Sequence, residues 1–313
     1  MTKSFQDTRD NDLRYVAAGE VSLLRKLSGC QFVVSLYDYY EGINESCIIT
    51  EYLAGTDLFD TIAHRTFTLT EDKCRVITGQ VLEALSFIHA RRIVHMDIKP
   101  NNIMFANRGK ENLHIKLIDF GLARELGGMG RARCGMVGTV EFMSPEVIGS
   151  SYAVPASDMW SLGVMLFMMV SGGLSPFWAG NDLRTEARVI VGDFRLDLPH
   201  FQSVTKEAKD LIAKLILLSP DCRLSALAAL RHPWLVPNTE VIKLSKVIAI
   251  DTALMRRFNA RRRWTKLRNV LSVLKWLKPR QDGKLDFDIE KLVVKHIKRN
   301  TLRKCFKRKK SLK

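Results

Sequence analysis

No apolar run in this chain approaches the roughly 18 residues that a membrane span requires. The opening MTKSFQDTRDND also lacks the apolar core of a secretory leader. Cysteine is sparse and scattered: Cys30, Cys47, Cys74, Cys134, Cys222 and Cys305 form no Cys-x-x-Cys pair. That argues against the usual zinc spacings and a disulfide framework, and it points to a reducing, intracellular compartment. A third absence is local. Between Asp251 and Asp282 there is no acidic residue, although ten lysines and arginines fall there.

The charge that is present is therefore divided along the chain. Residues 1–235 carry a net charge of −2, and residues 236–313 carry +18. A near-neutral globular body followed by a strongly basic tail sets the best domain boundary at 235/236. Within the body, Glu20 opens the end of a helical pattern, VSLLRKL. Two β-rich runs follow, FVVSLYDYY and SCIITEYL, the second broken at AGTD. The apolar positions of EDKCRVITGQVLEALSFIHA recur at three and four, which predicts a long amphipathic helix. Two short strand-like pieces, NIMFA and HIKLIDFG, precede a loop rich in Gly and Arg. Successive helices then run to Leu235, and MWSLGVMLFMMV is apolar enough to be buried on every side. This order, a small β-containing part and then a large helical part, predicts an α+β protein of two lobes.

The sharpest signal is IVHMDIKPNNIM, which places Asp97, Lys99 and Asn102 within six residues, with Asp119-Phe120-Gly121 beginning 17 residues after Asn102. In this order the set resembles the signature of the protein kinases. The resemblance implies phosphoryl transfer from ATP with Mg²⁺, and the residue types suit it. A carboxylate, Asp97, can orient the attacking hydroxyl and take its proton. Asn102 and Asp119 offer hard oxygen ligands to Mg²⁺. Lys99 can meet the charge that spreads over the transferred phosphate.

Further stretches extend the likeness. GTVEFMSPE, Gly138 to Glu146, resembles the end of an activation segment. Asp158 in SDMWSLGV matches the buried aspartate that braces the catalytic loop, and Arg223 in PDCRLSA matches the partner of Glu146. Lys99 with Thr139 favours serine/threonine over tyrosine as acceptor. EYLAG after Thr50 resembles the hinge that holds adenine through backbone groups, which makes Glu51 and Leu53 nucleotide contacts. Asp57 stands where a ribose, or an arginine of a basic substrate, is met. Glu20 fits the helix glutamate that pairs with a phosphate-contacting lysine, and Lys3 is the lysine available upstream. No Gly-x-Gly-x-x-Gly precedes Lys3, so the expectation is a two-lobed kinase fold over 1–235 whose β lobe (1–52) lacks its first strands and phosphate lid, with the helical lobe at 53–235. Asn101 departs from the glutamate common at its site.

Asp251 is a reasonable N-cap for a helix of about 27 residues, roughly 40 Å long. Along it, Trp264, Leu267, Leu271, Leu274 and Leu277 lie on or near one face, with arginines clustered at the start. A basic amphipathic helix suits calmodulin or a membrane surface. Trp264, Leu271 and Leu277 have the spacing that two apolar grooves would grip, and Met255 to Trp264 resembles the calmodulin-binding tail of myosin light chain kinases. No aromatic interleaving suggests a nucleic-acid platform.

That resemblance implies a Ca²⁺/calmodulin-regulated serine/threonine kinase with 236–280 autoinhibitory and calmodulin-binding, and 281–313 a basic tail. The autoinhibitory stretch, about Glu240 to Arg263, would lie across the substrate cleft. It further implies a protein substrate such as a myosin regulatory light chain, and a cytoplasmic, cytoskeleton-associated setting. The alternatives are a catalytically silent calmodulin-binding scaffold, or a kinase of the death-associated or giant-muscle-protein branches acting on another substrate. Met96 stands where an arginine usually gathers an activation-loop phosphate. Since LARELGGMGRARCGMV, Leu122 to Val137, has no Ser, Thr or Tyr, the sequence predicts that Met96 packs as an apolar neighbour of Asp97 and that control has moved to the basic helix.

Overall fold

The structure is a computed structural model that describes residues 17–41, 46–64, 66–109, 113–135, 138–236 and 248–257. The chain divides into two units, Met1–Ala260 and Arg261–Lys313, and every described residue lies in the first. Lys3 and the tail anchors Trp264, Leu271 and Leu277 lie outside the described residues.

Helix α1 covers 17–26 and buries Val21, Leu23 and Leu24. Strands β1 (Leu36–Glu41) and β2 (Ser46–Thr50) pair antiparallel, Leu36 opposite Thr50 and Glu41 opposite Ser46, and neither strand has a fully buried residue. The ladder begins at Leu36 rather than at Phe32, where the β-rich run begins. Phe32, Val33 and Val34 are buried for another reason. The Leu117 N–H donates to the Phe32 carbonyl at 2.8 Å and the Val34 N–H to the Leu117 carbonyl at 3.0 Å, so this segment docks beside a later strand.

Helix α2 (Leu58–Ala63) follows the chain's passage to the helical part, and α3 (Glu71–Ala90) is the long helix that the periodicity predicts. Thr70 caps α3 by accepting the Lys73 N–H at 3.3 Å, and Glu71 and Asp72 favour the positive end of its dipole. Short strands come next. β3 (Ile93–Val94) pairs with β6 (Arg124–Glu125), and β4 (Ile103–Phe105) pairs with β5 (Ile115–Leu117). After β7 (Ala132–Arg133) and α4 (Pro145–Ser150), β8 (Tyr152–Ala153) pairs back to β7.

Helix α5 (Pro155–Val170) runs through the core of the first unit: Ser157 to Val170 are all buried, as the unbroken apolar run requires. Proline at its first position costs no hydrogen bond. Trp160 stacks on Phe177 with ring centroids 5.3 Å apart. Helices α6 (Asp182–Val191), α7 (Lys206–Leu215) and α8 (Ala226–Ala229) complete the helical part, and one apolar core joins α1, α3, α5 and α7 to Trp234. Among the described residues, no helix is long and apolar enough to cross a membrane.

The described part of the tail returns to this body. Ala249 bridges Thr70 antiparallel, and the Ile250 N–H donates to the Leu69 carbonyl at 2.9 Å. The chain is helical over 253–257, one residue later than an Asp251 cap requires. Thr252 is buried next to the helix, and the Asp251 carboxylate still accepts the Ala253 N–H at 2.9 Å. Met255, 1% exposed, packs at Gly173. Gly172 and Gly173 both have positive φ, and a Cβ on either would come 1.9 Å from the Asp251 carbonyl oxygen or 2.6 Å from the Met255 nitrogen.

Candidate active site

β3 delivers the chain into a loop whose shape is fixed from beneath. Asp158, on the first turn of α5 and fully buried, accepts the backbone N–H of His95 at 2.9 Å and of Met96 at 2.8 Å, while His89 of α3 meets the same carboxylate at 2.9 Å. Burial opposes the Asp158 charge. The His89 contact and the His95 amide outweigh it and hold the carboxyl below the ordinary range. Met96 is left-handed at φ 66°, a conformation that a non-glycine residue holds only under such constraint.

Asp97 is the focus of the loop. Its carboxylate receives the Lys99 ammonium at 2.8 and 2.6 Å and the Asn102 side-chain N–H at 2.6 Å. Lys99 also donates to Thr139 Oγ1 at 3.2 Å, joining this loop to the segment before α4. Asn102 gives a second hydrogen bond to the Asp97 carbonyl at 2.8 Å. With its amide nitrogen engaged twice, Asn102 keeps its side-chain oxygen for another ligand.

Two residues beyond β5, Asp119 takes a left-handed φ of 66°, and Phe120 packs its ring 4.7 Å from that of His95. His95 accepts the Asp97 N–H on Nδ1 at 3.2 Å and reaches the Ile118 carbonyl with Nε2 at 3.3 Å, so its neutral Nε2–H tautomer fits both bonds. Burial pushes its pKa down against the pull of Asp158 and Asp97. Glu20 of α1 accepts the Phe120 N–H at 3.1 Å, and burial, helped by nearby Asp119, pushes its carboxyl up.

The sequence-derived residues thus fall into three groups. Asp97, Lys99 and Asn102 form one hydrogen-bonded cluster, and Asp119 and Glu20 meet at Phe120 and Gly121. Glu51 and Leu53 border the passage between the two parts, with the Ala54 N–H bonded to the Ala106 carbonyl at 3.0 Å. Asp57 caps α2 by accepting the Asp60 N–H at 2.7 Å, a structural task beside the one expected of it.

The Glu146–Arg223 pair forms as expected, bidentate at 2.8 Å on both arms, and Ser157 Oγ donates to Glu146 at 2.6 Å. Sequence reasoning missed Lys116, whose ammonium is buried against Glu51 at 2.6 Å. A lone lysine between Ile115 and Leu117 in an apolar strand is the signal that could have found it.

Among the described residues there is no group of three His, Cys, Asp or Glu side chains able to hold a metal ion. The donors present, the Asn102 amide oxygen and the Asp119 carboxylate, are hard oxygens. They fit a Mg²⁺ ion that takes its other ligands from phosphates and water.

The comparisons with known proteins agree with this geometry. A family described as protein kinase domain matches residues 1–235. Human myosin light chain kinase family member 4 is 37% identical over 216 residues, which is 69% of this chain and 54% of that protein. The chain therefore spans about half the length of that relative. Among solved structures, the twitchin kinase region of Caenorhabditis elegans superposes with a TM-score of 0.71 at 32% identity, covering 81% of this chain and 43% of that one. The autoinhibited serine kinase domain of the giant muscle protein titin gives 0.70 at 30% identity over 79% and 74%.

Proposed function

The chain belongs to the protein kinase family, and from that premise we propose that it transfers the γ-phosphoryl group of ATP to a serine or threonine hydroxyl of a protein. The observation that carries this reading is the Asp97–Lys99–Thr139 link, a carboxylate and a cation held side by side at the segment where an acceptor hydroxyl would arrive. In the reaction the acceptor oxygen forms a bond to the γ-phosphorus and the bond to the β-phosphate oxygen breaks, releasing ADP. The acceptor's proton passes to the Asp97 carboxylate. Lys99 offsets charge on the transferring oxygens, and its two hydrogen bonds at 2.8 and 2.6 Å hold the Asp97 carboxylate in place for the step. Mg²⁺, when bound, neutralises the phosphates; Asn102 and Asp119 would hold it. Glu51 and Leu53 would meet adenine through their backbone.

Regulation by Ca²⁺-loaded calmodulin is part of the proposal. It is supported by the basic, apolar-striped sequence after residue 250 and by the docking of 248–257 on Leu69 and Gly172. The titin kinase domain of known structure is an autoinhibited one. In this chain residues 249–255 are seated on Leu69, Thr70, Gly172 and Gly173 rather than across the substrate cleft. That corrects the expectation for this part of the stretch from Glu240 to Arg263 and leaves the cleft contact as a proposal for its residues outside 248–257. A cytoskeletal setting and a light-chain-like substrate follow from the same kinship. The silent-scaffold reading draws on one specific observation: the Glu20 carboxylate accepts the Phe120 N–H at 3.1 Å, an engagement beside the lysine pairing expected of it.

The experiment is phosphate transfer from labelled Mg·ATP to a serine peptide by the full chain, with and without Ca²⁺–calmodulin. Asp97→Asn should lose about 10²-fold or more in turnover while keeping its affinity for Mg·ATP. If the wild-type chain binds no Mg·ATP, the scaffold reading replaces the kinase one; if calmodulin leaves the rate unchanged, the regulatory part falls alone.

A further inference from the structure

Lys116 has no place in the chemistry just described, yet it is one of the buried charges among the described residues. Its strand neighbours Ile115 and Leu117 are fully buried, and Lys116 is itself 9% exposed. An ammonium taken out of water must be paired. Its Nζ donates to Glu51 Oε1 at 2.6 Å and to the Val33 carbonyl at 3.3 Å. The same Glu51 oxygen accepts the Ser35 N–H at 2.6 Å, and the Glu51 N–H donates back to the Ser35 carbonyl at 2.9 Å. Three stretches of chain therefore meet at one carboxylate: the segment 32–35, the passage after β2, and β5.

The positions of these stretches give the junction its meaning. Glu51 lies two residues before Leu53, in the backbone that the kinase reading assigns to adenine. Lys116 lies three residues before Asp119, the carboxylate assigned to the cation at the phosphates. The Ile118 N–H, just after β5, donates to the Asn102 carbonyl at 2.9 Å, so the same run of chain is also bonded to the backbone of the other residue assigned to the cation.

We propose that Lys116 is a positioning residue for the nucleotide: through Glu51 it fixes the separation between the backbone that takes adenine and the strand that presents Asp119 to the phosphates. The inference rests on the phosphotransfer reading of the site. Its physical basis is that a nucleotide is a two-ended ligand. Holding both receiving ends at the right distance makes the second contact intramolecular, and slack between them lowers the effective concentration of one end at the other. A buried ion pair is weak evidence for stability, because an apolar pair of similar volume can replace it. A pair of short hydrogen bonds to a shared carboxylate, by contrast, sets a length and a direction.

The test uses the full chain with Glu51→Gln combined with Lys116→Met. Glutamine retains an acceptor for the Ser35 N–H, and methionine fills the lysine's space without its charge, so neither change strands a buried ion. Calorimetry would measure Mg·ATP, adenosine and Mg·tripolyphosphate, alongside a thermal melt. The expected result is a loss of about tenfold in Mg·ATP affinity, with adenosine and tripolyphosphate affinities unchanged, because only the joined ligand senses the spacing. Lys116→Arg, which keeps the charge on Glu51, should recover part of the loss.

Equal Mg·ATP affinities in wild type and double variant would overturn the inference while leaving the kinase reading intact. So would a parallel fall for all three ligands, which would mark a general structural role. A wild-type chain that binds no Mg·ATP would remove the kinase reading and this inference with it.

Discussion

Met96 is held in its slot from two directions. Its backbone is pinned to Asp158, and its side chain packs with the cluster of Val94, Ala132, Cys134, Met143, Val147 and Ala153. An arginine in that slot would be useful if a phosphate stood opposite, and Leu122 to Val137 offers no residue to carry one. Met96→Arg should therefore destabilise the fold by about 1–2 kcal/mol, the order expected for charge placed against apolar neighbours, read as a lower denaturant midpoint. An unchanged midpoint would mean that the methionine contributes nothing to ordering the segment.

His95 makes a second residue-scale prediction with a definite sign. Burial holds its imidazole neutral in the fold, below the ordinary 6.5. The unfolded chain's imidazole takes up a proton as pH falls through that value, so its contribution is complete above it and declines below it. Glu20 and Glu141, whose carboxyls burial raises, work in the opposite direction at lower pH. Between about pH 7.5 and 5.5 the wild-type melting temperature should fall more than that of His95→Asn. Parallel slopes for the two proteins would exclude His95 as the titrating group.

At the scale of elements, how legible a feature was in the sequence depended on how local its cause is. α3 and α5 could be read directly, since a 3.6-residue periodicity or an unbroken apolar run reports the face that is buried. The grouping of Asp97, Lys99 and Asn102 could be read because the three fall within six residues of one loop. The start of β1 could not, because Phe32 to Val34 are apolar for the sake of β5, more than 80 residues away. Lys116 was hidden for the same reason, its partner Glu51 being distant in sequence.

The strap over 248–257 was half legible. The basic composition of the tail that it opens was plain, but its seat depends on Gly172 and Gly173, which look like ordinary loop glycines. Gly173→Val would force a Cβ toward the Met255 nitrogen in a backbone with φ of 111°, at a cost of about 1–2 kcal/mol for the backbone strain alone. The strap should then leave its seat. Hydrogen exchange at the Ile250 amide, which is bonded to Leu69 in the wild type, should rise to the rate of an unprotected peptide while α5 stays protected. Retained protection at Ile250 would show that the glycines are not what seats the strap.

Across the whole molecule the governing fact is the separation of charge, with −2 over residues 1–235 and +18 over residues 236–313. Any anionic partner is drawn to such a tail, so attraction alone does not distinguish calmodulin from an acidic membrane or a polyanion. Salt does distinguish them. Coulombic attraction between exposed charges is screened over about 8 Å at physiological ionic strength and about 3 Å at 1 M, whereas burial of apolar anchors is not weakened by salt.

If Trp264, Leu271 and Leu277 insert into the grooves of Ca²⁺-loaded calmodulin, affinity should fall with salt and then level off at a residual value that Trp264→Ala lowers further. Binding to heparin or to phosphatidylserine vesicles should lose most of its strength over the same range, and Trp264→Ala should change the heparin curve little. Titrating the full chain against each partner between about 0.1 and 1 M salt separates the cases. A calmodulin curve that falls to nothing and ignores Trp264 would leave the tail as a general anionic-surface anchor.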